Sequence, residues 1–260
     1  MKRLIEQELV KWKKSTRRKP LVLRGARQVG KTWLVEQVLA KDFEGLVKID
    51  LEKRRDLHTV FGDNLEPKRI LNLLELATGK IIPGKTLLFL DEIQACPRAI
   101  MALRYFYEEI PDLHVVVAGS LLEFAFAEIS VPVGRLHYLH VHPMTFYEYL
   151  LALGKEPMAE QTRKSPSATS QAAHEQIIDE LKNYFFTGGM PECVKTWRDT
   201  TSLRTVAEVQ TEILDSYRDD FAKYTPKTDP RCLETVLLSV AKSVGEQLKY
   251  TRLDEIHTGP

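Results

Sequence analysis

An α/β fold with a mostly parallel sheet is predicted for this chain by three stretches. The first, LVLRGARQVGKTWLVEQVLA over 21–40, passes from an apolar strand, Leu21 to Leu23, through a glycine-bounded loop into a helix-period pattern of Leu34, Val35, Val38 and Leu39. The second is the continuous apolar run Leu87 to Leu90, set off by Pro83 and Gly84 and ending in Asp91-Glu92. The third, LHVVVAGS over 113–120, is again largely apolar and ends in small residues. Short apolar runs bounded by turn residues fit strands covered on both faces, as parallel sheets require.

The loop of the first stretch matches G-x-x-x-x-G-K-[ST] through Gly25, Ala26, Arg27, Gln28, Val29, Gly30, Lys31 and Thr32, with Trp33 following. A triphosphate tail needs convergent donors at close range, so backbone N–H groups must turn inward, which glycines at both ends of the loop permit. Lys31 brings a charge to the β and γ phosphates, and Thr32 offers a hydroxyl to Mg²⁺ while the helix N-terminus behind it favours the anion. A chain of this length matches the pattern by chance about once in a hundred. The flanking strand and helix lower that further, and the fold class narrows to a P-loop NTPase.

Composition sets the limits. A chain of 260 residues, 43% of them hydrophobic, is long enough for one large domain, and a core of about 150–200 residues with a smaller appendage is the preferred reading. A net charge of +1 gives no overall field for nucleic acid or membrane, so any basic surface is local. Cys96, Cys193 and Cys232 are odd in number, far apart and without CxxC spacing, which speaks against a disulfide framework or zinc site and for a reducing compartment. Charges interrupt the apolar residues of MKRLIEQELVKWKK, and no apolar run reaches 18 residues. A cytoplasmic protein with no membrane partner is expected.

In order along the chain, an amphipathic helix with Leu4, Ile5, Leu9, Val10 and Trp12 on or near one face comes first. The run KKSTRRKP after it, with Lys13, Lys14, Arg17, Arg18 and Lys19, reads as a solvated connector in preference to a nucleic-acid or partner contact, since no aromatics interleave it. GLVKIDL (45–51) is a second strand, residues 53–66 are charged and turn-like, and RILNLLELA (69–77) is a helix.

The apolar run ending in Asp91-Glu92 then has the Walker B arrangement. Asp91 at the carboxyl end of its strand would hold Mg²⁺ directly or through water, and Glu92 would orient and activate the attacking water. Alone this is a weak signal; about 60 residues after a phosphate loop it is a strong one, because strand carboxyl ends in open α/β sheets converge on one crevice. Two acids in tandem favour a hydrolase over a small-molecule kinase.

Pro97 to Glu108 carries Ile100, Leu103, Phe106 and Tyr107 at helical spacing, as core packing. At the end of the third strand, Ser120 suits a sensor that hydrogen-bonds the γ-phosphate or the lytic water, or equally the cap of a helix from Leu121. Arg135 follows the turn Pro132–Gly134; its guanidinium would neutralise charge on the γ-phosphate, in its own subunit or across an interface of a self-associated assembly, or else form a surface ion pair. His137, His140 and His142 lie in the alternating LHYLHVH without a cysteine or carboxylate to complete a metal set and read as strand residues, and TFYEYLLAL is a helix.

A boundary is expected next. Residues 1–154 form the sheet domain, KEPMAEQTRKSPSATSQAA (155–173) has the composition of a linker or mobile loop, and 174–260 is helical, with breaks at Gly188–Pro191 and Pro226–Pro230.

Taken in order, GARQVGKT, LFLDEIQ, VVVAGS, VGR with HPMTFYEYL, GGMPE and ILDSYRDDFAKY resemble the AAA-type prokaryotic ATPases that carry a C-terminal domain of unknown function. The resemblance covers most of 1–250. Its loop and Asp-Glu motifs are general to additional-strand P-loop ATPases, whereas the Phe-x-Glu helix and the GGMPE turn are specific. It implies ATP as the nucleotide, with the phosphate-loop residues, Asp91 and Glu92 in the roles above and Ser120 as sensor. It also likens Gly189-Met190-Pro191 to the Gly-x-Pro turn of related signalling and origin-recognition ATPases, whose proline packs against adenine. The same residues read equally well as a helix end stopped by proline. Related chains continue through a winged helix, whose beginning SVGEQLKYTRLDE resembles, into a further domain, so a shortened chain or fragment is expected.

Two function classes follow. One is a Mg²⁺-dependent ATPase that couples nucleotide state to a helical lid; the other is a nucleotide-dependent switch for a protein or DNA partner with little turnover.

Overall fold

Five strands, β1 (Leu21–Arg24), β2 (Gly45–Asp50), β3 (Thr86–Asp91), β4 (His114–Ala118) and β5 (His137–His140), lie parallel in the order β2-β3-β4-β1-β5. The computed structural model describes residues 1–119, 134–165, 170–221 and 229–247. β4 stands between β1 and β3, so the sheet is of the additional-strand P-loop kind that was expected. The registers Asp50↔Asp91, Leu23↔Ala118 and Arg24↔His140 bring the carboxyl ends of the strands to one edge. That edge is where a ligand crevice forms in such sheets.

Period two explains why β3 and β4, buried along their whole length, read as continuous apolar runs. Leu88 and Leu90 face one core with Val115, Val117 and Val22, while Leu87 and Phe89 face another with Val116, Ala118, Leu21 and Leu23. The first core is closed by α3 (Pro67–Thr78) and α4 (Pro97–Glu109), and the second by α1 (Glu6–Lys14) and α2 (Lys31–Gln37). Trp12 of α1 fills the second core and donates its indole N–H to Lys19 O at 2.8 Å, which ties the basic connector back against the sheet. α3 starts where Glu66 accepts from the N–H groups of Lys68 and Arg69 and Pro67 supplies a preset φ.

Two segments depart from expectation. Within 53–66, a 3₁₀ helix at Arg55–Phe61 buries Leu57, Val60 and Phe61 in the first core. The three apolar side chains share one face of this short helix, and their burial holds it against the core even among charges. Within 155–173, α6 (Glu156–Gln161) is helical and buries Ala159 against α5 (Phe146–Ala152) and its neighbours.

By packing the chain divides into two compact units, Met1–Thr201 and Ser202–Pro260. The first includes α7 (Gln171–Thr187) and α8 (Pro191–Thr200), whose Tyr184, Val194 and Trp197 join Met144, Tyr149 and Leu150 in a third small core. In the second unit, α9 (Leu203–Phe221) and α10 (Pro230–Lys242) are joined by Arg218, which pairs with Glu234 at 3.0 Å and Asp215 at 3.1 Å. The expected winged-helix beginning lies largely outside the described residues. Among those described, no helix is long and apolar enough to cross a membrane.

Candidate functional site

β1 delivers the phosphate loop to the carboxyl edge between β4 and β5. The loop's first glycine passes so close to the end of β5 that a Cβ on Gly25, φ 144°, would stand 2.1 Å from Val141 O. Gln28 at φ 62° and Gly30 at φ 93° both turn through the left-handed region, as backbone that gathers its N–H groups into an anion-binding concavity does. Val29 between them is buried and anchors the loop. Gly25→Ala should therefore destabilise the fold by about 3 kcal/mol or more and lower the melting temperature by roughly 6–12 °C. Calorimetric melting checks this, and a variant melting with the wild type would show that the loop does not need this approach.

Lys31 opens α2, and its Nζ donates to Gly25 O at 2.8 Å and Ala26 O at 2.7 Å, so the ammonium lies inside the loop it serves. Thr32 Oγ1 donates to Asp91 Oδ2 at 3.0 Å, across 59 positions of sequence. The hydroxyl and carboxylate predicted for one cation thus meet. Lys48 Nζ stands 3.7 Å from the same carboxylate oxygen and 2.7 Å from Glu36. Burial pushes the Asp91 carboxyl above its usual range and the charge of Glu92 adds to this, against the Thr32 bond and Lys48. An acid kept in such a place, at a strand end and beside a cleft, is characteristic of a functional site.

Glu92 follows with φ 49°, a left-handed conformation that a non-glycine residue adopts at a cost. Its side chain lines the cleft, and Oε2 accepts from Gln94 Nε2.

The cleft itself is about 720 Å³. One wall is the loop with Arg27, Gln28, Gly30, Lys31, Thr32 and Trp33, and Asp91 and Glu92 form the floor. The opposite wall holds Pro191 and, on α8, Glu192, Lys195 and Arg198, with Met1, Arg3 and Met144 between the two walls. Of the five cationic side chains in the lining, Arg3 is paired with Glu148 and Arg198 with Asp199; Arg27 and Lys31 of the loop, with Lys195 opposite, suit an anionic ligand, and Met1, Met144, Trp33 and Pro191 offer it apolar surface.

Of the residues expected at the site, the structure brings together Arg27, Gln28, Gly30, Lys31, Thr32, Trp33, Asp91, Glu92 and Pro191. Gly25, Ala26 and Val29 shape the loop from behind. Ser120 lies outside the described residues. Arg135 is elsewhere: it precedes β5, whose first residue donates from His137 N to Pro20 O at 3.0 Å, so Arg135 sits at the amino edge of the sheet. There its Nε donates to Glu108, whose carboxyl is held below its usual range by Arg135 first and then Arg104. In this placement Arg135 does not line the cleft of its own chain.

Sequence reasoning missed Arg3, Met144, Lys195 and Arg198. The last two had a readable signal, since a helix begun at Pro191 puts positions i+4 and i+7 on the proline's own face. Glu148 also had one: Thr145 and Glu148 form a capping box, each side chain bonded to the other's backbone.

A glycine-bounded loop facing a strand-end acid pair, on a parallel sheet with a strand inserted between them, defines a P-loop nucleotide-binding protein. The chain belongs to the family described as an AAA domain, which matches residues 17–150. A second family, Domain of unknown function (DUF8612), matches residues 178–258. Among solved structures, the Walker-type ATPase PABY2304 of Pyrococcus abyssi is similar in fold, with a TM-score of 0.55 and 16% identity over 96% of this chain and 86% of that one. A Signal Transduction ATPase with Numerous Domains protein with a tetratricopeptide repeat sensor, PH0952 of Pyrococcus horikoshii, aligns over 98% of this chain and 36% of its own, with a TM-score of 0.44 and 16% identity. No curated protein matches the chain.

Proposed function

We propose that the chain binds ATP with Mg²⁺, hydrolyses it to ADP and phosphate, and passes the nucleotide state to its C-terminal helical region as a movement of that region. The observation that carries this reading is the contact of Thr32 Oγ1 with Asp91 Oδ2 at the mouth of the phosphate loop, with Glu92 next to it. Two hard oxygen donors fit a magnesium ion, which when bound neutralises charge on the β and γ phosphates.

The positions of the chain's own residues support the following roles. The loop and Lys31 hold the phosphates, and Pro191 packs against the base. Lys195 and Arg198 on α8 add positive charge on the facing wall. Glu92 accepts a proton from a water molecule as its oxygen bonds to the γ phosphorus; the bond from that phosphorus to the bridging oxygen breaks, and its electron pair leaves with ADP. α8 ends at Thr200, directly before the second unit, so a change felt at Pro191 has a short covalent route to the helices beyond.

The test is phosphate release by the purified chain over a protein concentration series, with and without Mg²⁺ and DNA. Release that requires Mg²⁺ is expected. Tight ATP binding without release in any condition would replace hydrolysis by the switch reading, with a protein or DNA partner. Arg135 enters through the concentration series: placed far from its own cleft, it would act on that of a neighbouring copy. Turnover per chain should then rise with concentration, and Arg135→Ala should remove that rise, lowering the plateau by roughly 100-fold or more. The surface ion pair lost with Arg135 contributes little to stability. A rate per chain that is independent of concentration in both proteins would take Arg135 out of the mechanism.

A further inference from the structure

Nothing in phosphate-loop chemistry calls for Arg3, yet its guanidinium is buried where three segments behind the cleft meet. Nε donates to Glu148 Oε1 at 3.0 Å, Nη1 to Val29 O at 3.0 Å and Nη2 to His142 O at 2.6 Å. Val29 belongs to the phosphate loop, His142 follows β5, and Glu148 lies in the first turn of α5. A guanidinium presents its donors in a fixed plane, so one rigid group sets the spacing of all three acceptors.

Burying an ion pair stabilises a structure only when the remaining lone pairs and protons are also satisfied. Glu148 meets that condition. Beyond Arg3, Oε1 accepts from Leu4 N at 2.8 Å, and Oε2 accepts from Thr145 N at 2.8 Å and Thr145 Oγ1 at 3.1 Å. The carboxylate is thereby locked, with both side chains less than a tenth exposed.

From this junction the connection continues to the opposite wall. Met144 N donates to Gly189 O at 2.6 Å, and Tyr184 Oη donates to Met144 O at 2.7 Å. A Cβ on Gly189 would stand 2.3 Å from that same Met144 oxygen, so the turn before Pro191 is seated directly on the segment between β5 and α5. The two ends of the path close on each other at Gly30, where a Cβ would lie 3.9 Å from both Arg3 Nη1 and the Pro191 ring. The loop and the Pro191 wall are thus joined through Arg3, Glu148 and Met144.

We propose that the buried Arg3–Glu148 pair is a positioning latch of the cleft, fixing the phosphate loop relative to the Pro191 wall so that both engage one nucleotide together. The proposal rests on the nucleotide-binding reading of the cleft. It assigns a purpose to the Phe-x-Glu helix, whose glutamate caps α5 and holds Arg3 with the same carboxylate. A pair that only stabilised the N-terminal segment would lower the melting temperature and leave nucleotide affinity alone. A latch acts on affinity, because misplacing one wall costs the binding energy of the other.

The experiment measures ATP and GTP dissociation constants by titration calorimetry on the full chain, beside thermal melts, for wild type, Arg3→Lys, Arg3→Ala, Glu148→Gln and the double variant Arg3→Ala with Glu148→Gln. Arg3→Lys keeps the charge by Glu148 but cannot span three acceptors, so it should stay folded and bind ATP about tenfold more weakly. The double variant should bind no more weakly than the worse single variant, as members of one coupled unit do. The ATP-to-GTP affinity ratio should stay at its wild-type value, since Arg3 acts through the loop. An unchanged dissociation constant in Arg3→Lys overturns the latch whatever its melting temperature, and a changed ratio overturns it by making Arg3 a base contact. Wild-type ATP binding without turnover would fail the hydrolysis reading alone and leave the latch to be judged on affinity. A wild type that binds no nucleotide would overturn both.

Discussion

Lys31→Ala should weaken ATP binding by about a hundredfold or more, a loss of about 2.7 kcal/mol or more. The ammonium is enclosed by the loop, 8% exposed, and points into the turn bounded by Gly25 and Ala26. A charge in that position meets phosphate oxygens at reduced dielectric, where each charge-assisted bond is about twice as strong as a neutral one. Alanine removes the charge and also the donor that satisfies the Gly25 and Ala26 carbonyls, so a fall in melting temperature is expected as well. The two effects separate by calorimetric titration on folded protein. Wild-type affinity in a folded Lys31→Ala protein would mean that the glycine loop is a structural turn and that the ligand of the cleft is not a polyphosphate.

The parts of this site that were legible in the sequence are those whose geometry is local. From Gly25 to Thr32 the residues are contiguous, and the loop's shape follows from where its glycines stand. Asp91-Glu92 could be read because Leu87 to Leu90 are apolar without interruption, as a strand covered on both faces requires, and the structure divides those four side chains between two cores. Pro191 was reached by resemblance, and it does line the cleft.

What stayed hidden depends on how the chain returns. Arg135 comes after the third apolar stretch in sequence and so invites placement near the phosphates, but a parallel neighbour must begin again at the amino edge before β5 can run alongside β1. That return carries Arg135 to the far end of the strand. Arg3 and Glu148 are 145 positions apart, and no period or spacing connects them. Their meeting depends on β5 lying next to β1, which the order of elements alone does not give. Leu57, Val60 and Phe61 are a different case: a 3₁₀ helix of little more than two turns is too short to leave a periodic trace among so many charges.

Glu92→Gln should bind ATP as well as the wild type and hydrolyse it roughly 100- to 10,000-fold more slowly. The substitution is close to isosteric, and the carbonyl oxygen of the new amide can still accept from Gln94 Nε2, the bond that now holds the carboxylate. The left-handed backbone at φ 49° is no harder for glutamine than for glutamate, so the turn after β3 should keep its shape. What is lost is the negative charge and, with it, the capacity to accept a proton. Binding should not suffer, because the charge of Glu92 is one of the influences that raise the Asp91 carboxyl above its usual range. Removing that charge lets Asp91 ionise more readily, which favours a cation beside Thr32 and reduces repulsion toward the phosphates. The expected signature is therefore a large fall in kcat with the ATP dissociation constant equal to or below that of the wild type. A fall in affinity with kcat preserved would instead make Glu92 a binding residue, and normal turnover would move the general base to another group in the cleft.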